Sequence, residues 1–446
     1  MEAKLFIDKV FDTAKNMSLE EFEIYFVSSK NETIKIFKGD VDSYNNSENM
    51  GISFRVKIDG KMGYSYTESL LEEDIKPLIE RAISNGKIIE NLDEVEIYSE
   101  ESEYKKIDSF NPNLEAITVD EKINFLLKAE KTALELDPRV KTVNYCMIGS
   151  GSGENIIKNS KGLDLYHKFN SIYAYIAVVV QDDESIKNDS AYIVTRNFSD
   201  MDPIKLSTEA VNKALNKLNS TSVESKVYDV IIENDAFADL LGSMSGIFSG
   251  EAVQKGVSKF KGKLNSLVAS PSITITDDPH LENGYGSAPF DAEGVPTTPK
   301  NLIENGILKT YIHNLKTAKK DGIKTTGNAA KGGYKGTMGI STFNLFVKKG
   351  NLSFEQLLSQ LQNGILITGF TGLHSGLNSI SGDFSLATEG FLIENGKIKK
   401  PLNQITAAGN FFDLLKNVEN VGNDLKFNLS GIGSPSLLIK DISISS

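Results

Sequence analysis

Apolar residues recur at helical spacing at Ile7, Val10, Phe11 and Ala14, then give way to a β-rich run from Phe22 to Val27. Gly51 to Ile58 and Lys61 to Tyr66 flank Asp59-Gly60, a dipeptide that predicts a tight hairpin because glycine accepts positive φ. Helical pattern returns from Glu73 to Ile83. A polar, acidic stretch without period, Glu94 to Asn113, marks a first boundary. Thr118-Val-Asp-Glu121 then has the spacing of a capping box, and Ile123, Leu126, Leu127, Ala133 and Leu134 line one helix face until Asp137-Pro138 stops it. Val140 to Ile148 and Leu163 to Val180 read as strands, and Pro203 to Leu218 as a closing helix.

The polar linker from Ser220 to Lys226 precedes a strand at Tyr228 to Glu233. Near-identical octapeptides begin at Leu302 and Leu392, and each carries an Asn-Gly turn, which predicts two equivalent hairpins in one sheet. The fold class is therefore α+β, multidomain, with mixed and mainly antiparallel sheets flanked by helices. The expected units are 1–105, 106–224 and a β-rich 225–446. A chain of 446 residues exceeds the ~250 to 300 residues at which single cores stop growing.

Composition narrows the function. With 60 acidic against 48 basic residues, the net charge of −12 opposes direct contact with a nucleic-acid backbone. The one cysteine, Cys146, lies among apolar residues and fits a reducing cytoplasm. The N-terminus has no signal-peptide pattern and no apolar run suits a membrane span.

Candidate chemistry is sparse. A hydrolytic metal site needs about three ligands, yet His167, His280, His313 and His374 are scattered without ligand spacing. Asp277-Asp278-Pro279-His280 is the strongest local metal candidate, although proline and the glycines after it suit an ordinary turn. His374 and Ser375 are adjacent, a poor arrangement for base and nucleophile. Gly327 to Gly339 fails the phosphate-loop pattern and runs into a strand; its glycines suit close approach of a peptide or a neighbouring subunit. Lys255, Lys259, Lys261 and Lys263 form a small basic patch, which reads either as a solvated face or as a surface complementary to an acidic partner.

Phe248 to Lys263 contains one carboxylate, Glu251, at the first turn of a helix expected after a break at Ser249-Gly250. This segment resembles the place where TldD-type members of the TldD/PmbA peptidase family carry a His-Glu-Ala-x-x-His type zinc motif. The glutamate is kept as Glu251, while the histidine positions are Gly250 and Lys255. Further likeness to the PmbA/TldE branch lies in Asn49 to Gly63, Thr325 to Asn328, Ser381 to Ser385, Ala408 to Leu415 and Val421 to Asp424. TldD-type subunits also bring a cysteine near the C-terminus, where this chain reads Ser430-Gly-Ile-Gly-Ser-Pro-Ser.

The resemblance implies a cytosolic subunit that pairs with a zinc-bearing TldD-type homologue, or forms a homodimer, in a protease acting on unfolded peptides. Family members are linked to maturation of peptide antibiotics and, in older naming, to modulation of DNA gyrase. On that basis Glu251 is a remnant of a general base, and no cofactor is expected on this chain. Thr326, Gly327, Asn328, Ser381, Gly382, Asp383 and Phe384 become the candidate peptide or partner contacts. The alternatives are an autonomous hydrolase built on Asp277 and His280, and a homo-oligomeric peptide-binding protein.

Overall fold

The computed structural model describes residues 2–90, 96–100 and 102–446, so the start of the predicted boundary at Glu94 lies outside the described residues. Its first half is built on a six-stranded antiparallel sheet of β1 (Phe22–Phe37), β2 (Asp40–Ile58), β3 (Lys61–Thr67), β4 (Val140–Asn159), β5 (Asp164–Asp182) and β6 (Ser185–Thr195). The order is β3-β2-β1-β4-β5-β6. Because β1 pairs with β4 from Glu23↔Asn159 to Lys35↔Met147, the sheet runs without interruption from the first predicted unit into the second. Asp59 and Gly60 both take positive φ, as the hairpin between β2 and β3 requires.

Side-chain parity assigns the two faces of this sheet. Phe22, Ile24, Phe26, Ile34 and Ile36 of β1 all point to one side. There the helices Ala3–Asn16 and Ile75–Ile88 cover one end, and Val119–Leu136 and Pro203–Asn216 the other. The second of these pairs begins at the predicted capping box, with the Thr118 hydroxyl and the Glu121 carboxylate each accepting the other residue's backbone N–H. Glu23 and Tyr25 point the opposite way, toward the third unit, where Tyr25 packs with Ile157 and Phe290.

The third unit places a large core between two sheets. One, in the order β16-β15-β14-β7-β20-β17, contains β7 (Lys226–Ile232), β14 (Gly364–Thr371), β15 (Asp383–Glu394), β16 (Lys397–Asn410), β17 (Val418–Val421) and β20 (Leu437–Ser445). The other, in the order β10-β9-β8-β13-β19-β18, contains β8 (Ile275–Asp277), β9 (Lys300–Glu304), β10 (Ile307–Leu308), β13 (Leu345–Val347), β18 (Lys426–Phe427) and β19 (Gly433–Ser434). Pairing is antiparallel except β7 with β14 and β13 with β19. Val230, Ile232, Ile365 and Ile367 of the first sheet and Ile275, Leu302, Leu345 and Val347 of the second enclose the helix Asn234–Met244. Each such side chain contributes roughly 1.5–3 kcal/mol on full burial.

Asn305-Gly306 and Asn395-Gly396 adopt positive φ and close hairpins. They join β9 to β10 and β15 to β16, so the two octapeptides lie in different sheets and not in one. Asn-Gly specifies a turn between sequential strands, but the non-local neighbours decide which sheet those strands enter. A last ribbon, β11 (Ala329–Lys331) with β12 (Met338–Ile340), stands apart from both sheets.

Candidate functional site

The segment singled out by the sequence leaves the helix Asn234–Met244, tightens into a 3₁₀ turn at Ser245–Phe248, and is extended at Ser249. A five-residue helix, Gly250–Gln254, follows. The break at Ser249 is held from outside: Ile312 donates its N–H to the carbonyl of Phe248 at 2.9 Å, and Gly250 donates to the carbonyl of Ile312 at 2.9 Å. This short parallel bridge lays Gly250 directly on His313.

His313 is 1% exposed. Its Nδ1 lies 3.2 Å from the Thr317 hydroxyl, its backbone N–H donates to the Thr326 hydroxyl at 2.6 Å, and burial pushes its imidazole pKa down. A Cβ added at Gly250 would overlap Cε1 and Nδ1 of this ring and lie 3.0 Å from Nε2. Glycine is thus required here by the imidazole that fills the side-chain space.

Glu251 and Lys255 face outward from the same short helix. Lys255 Nζ sits 2.8 Å from Glu251 Oε1, with side chains 65% and 47% exposed, the arrangement of an i,i+4 surface pair. Gly250 offers no ligand atom, Lys255 brings a cation, and Glu251 is paired with it. These residues do not fit a zinc ion. Among the described residues, no group of three or more His, Cys, Asp or Glu is placed to hold a metal.

Asp277 and His280 turn to separate partners. Asp277 is fully buried, accepts from Asn328 Nδ2 at 2.8 Å and from the Phe343 N–H at 2.7 Å, and has Lys300 Nζ at 3.7 Å. Burial raises its carboxyl pKa despite these partners. His280 Nε2 lies 3.1 Å from the Thr297 hydroxyl. At Gly372–Gly376 the Ser375 hydroxyl donates to the Gly372 carbonyl at 3.2 Å.

The candidate contact residues form two groups. Thr326, Gly327 and Asn328 stand behind His313: Thr326 and Asn328 bond to its backbone, and Asn328, fully buried, also reaches Asp277 and the Ser341 carbonyl. The glycine-rich ribbon beyond them docks on this chain's own first sheet. Lys331 Nζ donates to the Ser53 hydroxyl at 2.6 Å and lies 4.5 Å and 4.8 Å from the ring centres of Tyr25 and Tyr64. Burial and neighbouring Arg55 push the Lys331 pKa down to about 7. Tyr334 covers Gly51, where an added Cβ would approach its ring to 2.5 Å.

Ser381, Gly382, Asp383 and Phe384 open the second group. Asn410 Nδ2 donates to the Ser381 carbonyl at 2.9 Å and to Asp383 at 2.8 Å, and Phe412 covers Gly382. Lysine residues from the motif segment face this loop across a cleft of ≈ 420 Å³ in which Lys259, Lys263, Ser381 and Phe412 meet. Asn410, Ser381 and Lys259 together hold the Asp383 carboxyl below its ordinary range. The sequence contains both halves of this cleft, but their meeting depends on the fold. His313 as the occupant of the space beside Gly250 has no local signal in the sequence.

The chain matches the family profiles for the PmbA/TldA metallopeptidase domain 1 over residues 22–86, the central domain over 112–218 and the C-terminal domain over 225–446. It is 30% identical over 344 residues to the Metalloprotease PmbA of Escherichia coli O157:H7, covering 76% of this chain and 72% of that protein. It is 28% identical to a Metalloprotease TldD homolog of Buchnera aphidicola subsp. Acyrthosiphon pisum, covering 99% and 98%. Among solved structures, a candidate modulator of a DNA gyrase from Thermotoga maritima MSB8 superposes with a TM-score of 0.93 at 34% identity over 100% of both chains. TldE from Thermococcus kodakarensis shares the fold, with a TM-score of 0.91 at 24% identity over 99% of this chain and 100% of that one. No helix among the described residues is long and apolar enough to cross a membrane. With all three domain profiles matched in order, the chain belongs to the PmbA/TldD metallopeptidase family.

Proposed function

We propose that this chain is the non-catalytic, PmbA/TldE-like subunit of a cytoplasmic two-component peptidase, in which a TldD-type partner carries the zinc and unfolded peptides are the substrate. One observation carries the reading: the side-chain space at Gly250 is filled by the buried ring of His313, while Glu251 is engaged by Lys255. A general base acts through a water or substrate proton within reach, and here the carboxylate faces an ammonium group on an exposed surface. The chain's contribution is then architectural. The cleft between Lys259, Lys263 and Ser381 is the surface we assign to peptide or partner contact, with its lysines complementary to an acidic segment.

The autonomous-hydrolase alternative is disfavoured by the separate partners of Asp277 and His280. The test is hydrolysis of an unstructured peptide by this chain alone, by a TldD-type relative alone, and by the mixture.

A further inference from the structure

A second cavity, of ≈ 370 Å³, lies between the second and third units and shares no residue with the Gly250 site. Its volume falls within the ~300–1,000 Å³ of small-ligand pockets. Most charged groups in its lining are already paired: Lys217 with Asp189 at 2.6 Å and with Glu389, and Lys213 with Glu209 at 2.9 Å. Asp235 accepts from the Tyr192 hydroxyl at 2.7 Å and from Lys426 at 2.7 Å.

Two charged lining groups are different. Glu233, just after β7, makes no side-chain cap bond to the helix that follows it and no ion pair with a described residue. Burial pushes its carboxyl up to about 7, with Lys213 and Lys426 opposing and Asp235 and Asp424 reinforcing the shift. Lys399 on β16 is exposed and likewise has no carboxylate partner among the described residues. Phe354, Leu366 and Phe391 add apolar lining to the same cavity.

We propose that this cavity binds a short peptide with a free amino terminus and an apolar side chain. The ammonium group pairs with Glu233, and the side chain lies on Phe354 and Phe391. The carboxylate is directed toward Lys399. A zwitterion with an apolar body satisfies both unmatched charges at once, which neither a simple anion nor a hydrocarbon does. The inference does not depend on whether this chain is catalytic.

Isothermal titration of the full chain with Leu-Leu, acetyl-Leu-Leu and Leu-Leu amide tests it. Leu-Leu is expected to bind saturably, and acetylation or Glu233→Gln to weaken binding roughly 10-fold or more, the scale of a lost hydrogen bond to a charged group. Amidation is expected to weaken binding in the wild type but not in Lys399→Ala. Absence of saturable Leu-Leu binding overturns the proposal. So does equal affinity for the acetylated peptide, or unchanged affinity in a Glu233→Gln variant that melts like the wild type.

Discussion

Replacing Gly250 by alanine probes the contact that distinguishes this motif segment from a metal site. The new methyl group would overlap Cε1 and Nδ1 of His313, and the ring has little room to yield, since it is 1% exposed and tied to Thr317. Overpacking of a filled core costs about 1–3 kcal/mol. Alanine gains about 0.5–1 kcal/mol over glycine in a helix, so the net loss is roughly 1–2 kcal/mol. With His313→Ala in place the overlap disappears, and Gly250→Ala then becomes neutral or stabilising by up to about 1 kcal/mol. The cycle therefore predicts a coupling of roughly 2 kcal/mol, within the range for residues in contact. Urea unfolding followed by circular dichroism, read as the shift in midpoint at constant slope, measures all four proteins. Either wild-type stability in Gly250→Ala, or an equal loss in the presence and absence of His313, would falsify the packing argument.

Two further outcomes follow from the electrostatics. His167 is buried near the rings of Phe169 and Phe290, and burial with Arg196 pushes its pKa down to about 4. The unfolded chain binds this proton near pH ~6.5, so the stabilisation is complete above that pH and is lost as pH falls toward 4. The loss amounts to at most about 3 kcal/mol. His167→Phe should lose less stability than the wild type between pH 7 and pH 5 in urea titrations, and an unchanged loss contradicts the assignment. Glu251→Gln removes only an exposed ion pair, so its unfolding midpoint should shift by no more than the equivalent of about 0.5 kcal/mol. A larger effect would mean that the carboxylate has a structural partner besides Lys255.

Local chemistry made much of the fold legible. Asp59-Gly60, Asn305-Gly306 and Asn395-Gly396 all form the turns their residues favour, and the Thr118–Glu121 box starts its helix. What local signals do not specify is which distant strands meet. The continuity of the first sheet rests on β1 pairing with β4, and the placement of the two Asn-Gly hairpins in separate sheets depends equally on non-local partners. The candidate site divides in the same way. That Gly250 and Lys255 are not metal ligands is visible in the residues themselves, whereas the filling of the space at Gly250 by His313 depends on a backbone bridge between Ser249 and Ile312. Lys259 and Ser381 share a cleft only because β15 and the motif segment pack in one unit.

The most direct measurement of the central claim is hydrolysis of an unstructured peptide, with and without a chelator, by this chain alone, by a TldD-type relative alone, and by the two mixed. This chain alone is expected to give no hydrolysis, and the mixture chelator-sensitive hydrolysis. Chelator-sensitive hydrolysis by this chain alone, free of any partner, would contradict the claim, whether or not Glu251→Gln abolishes the activity.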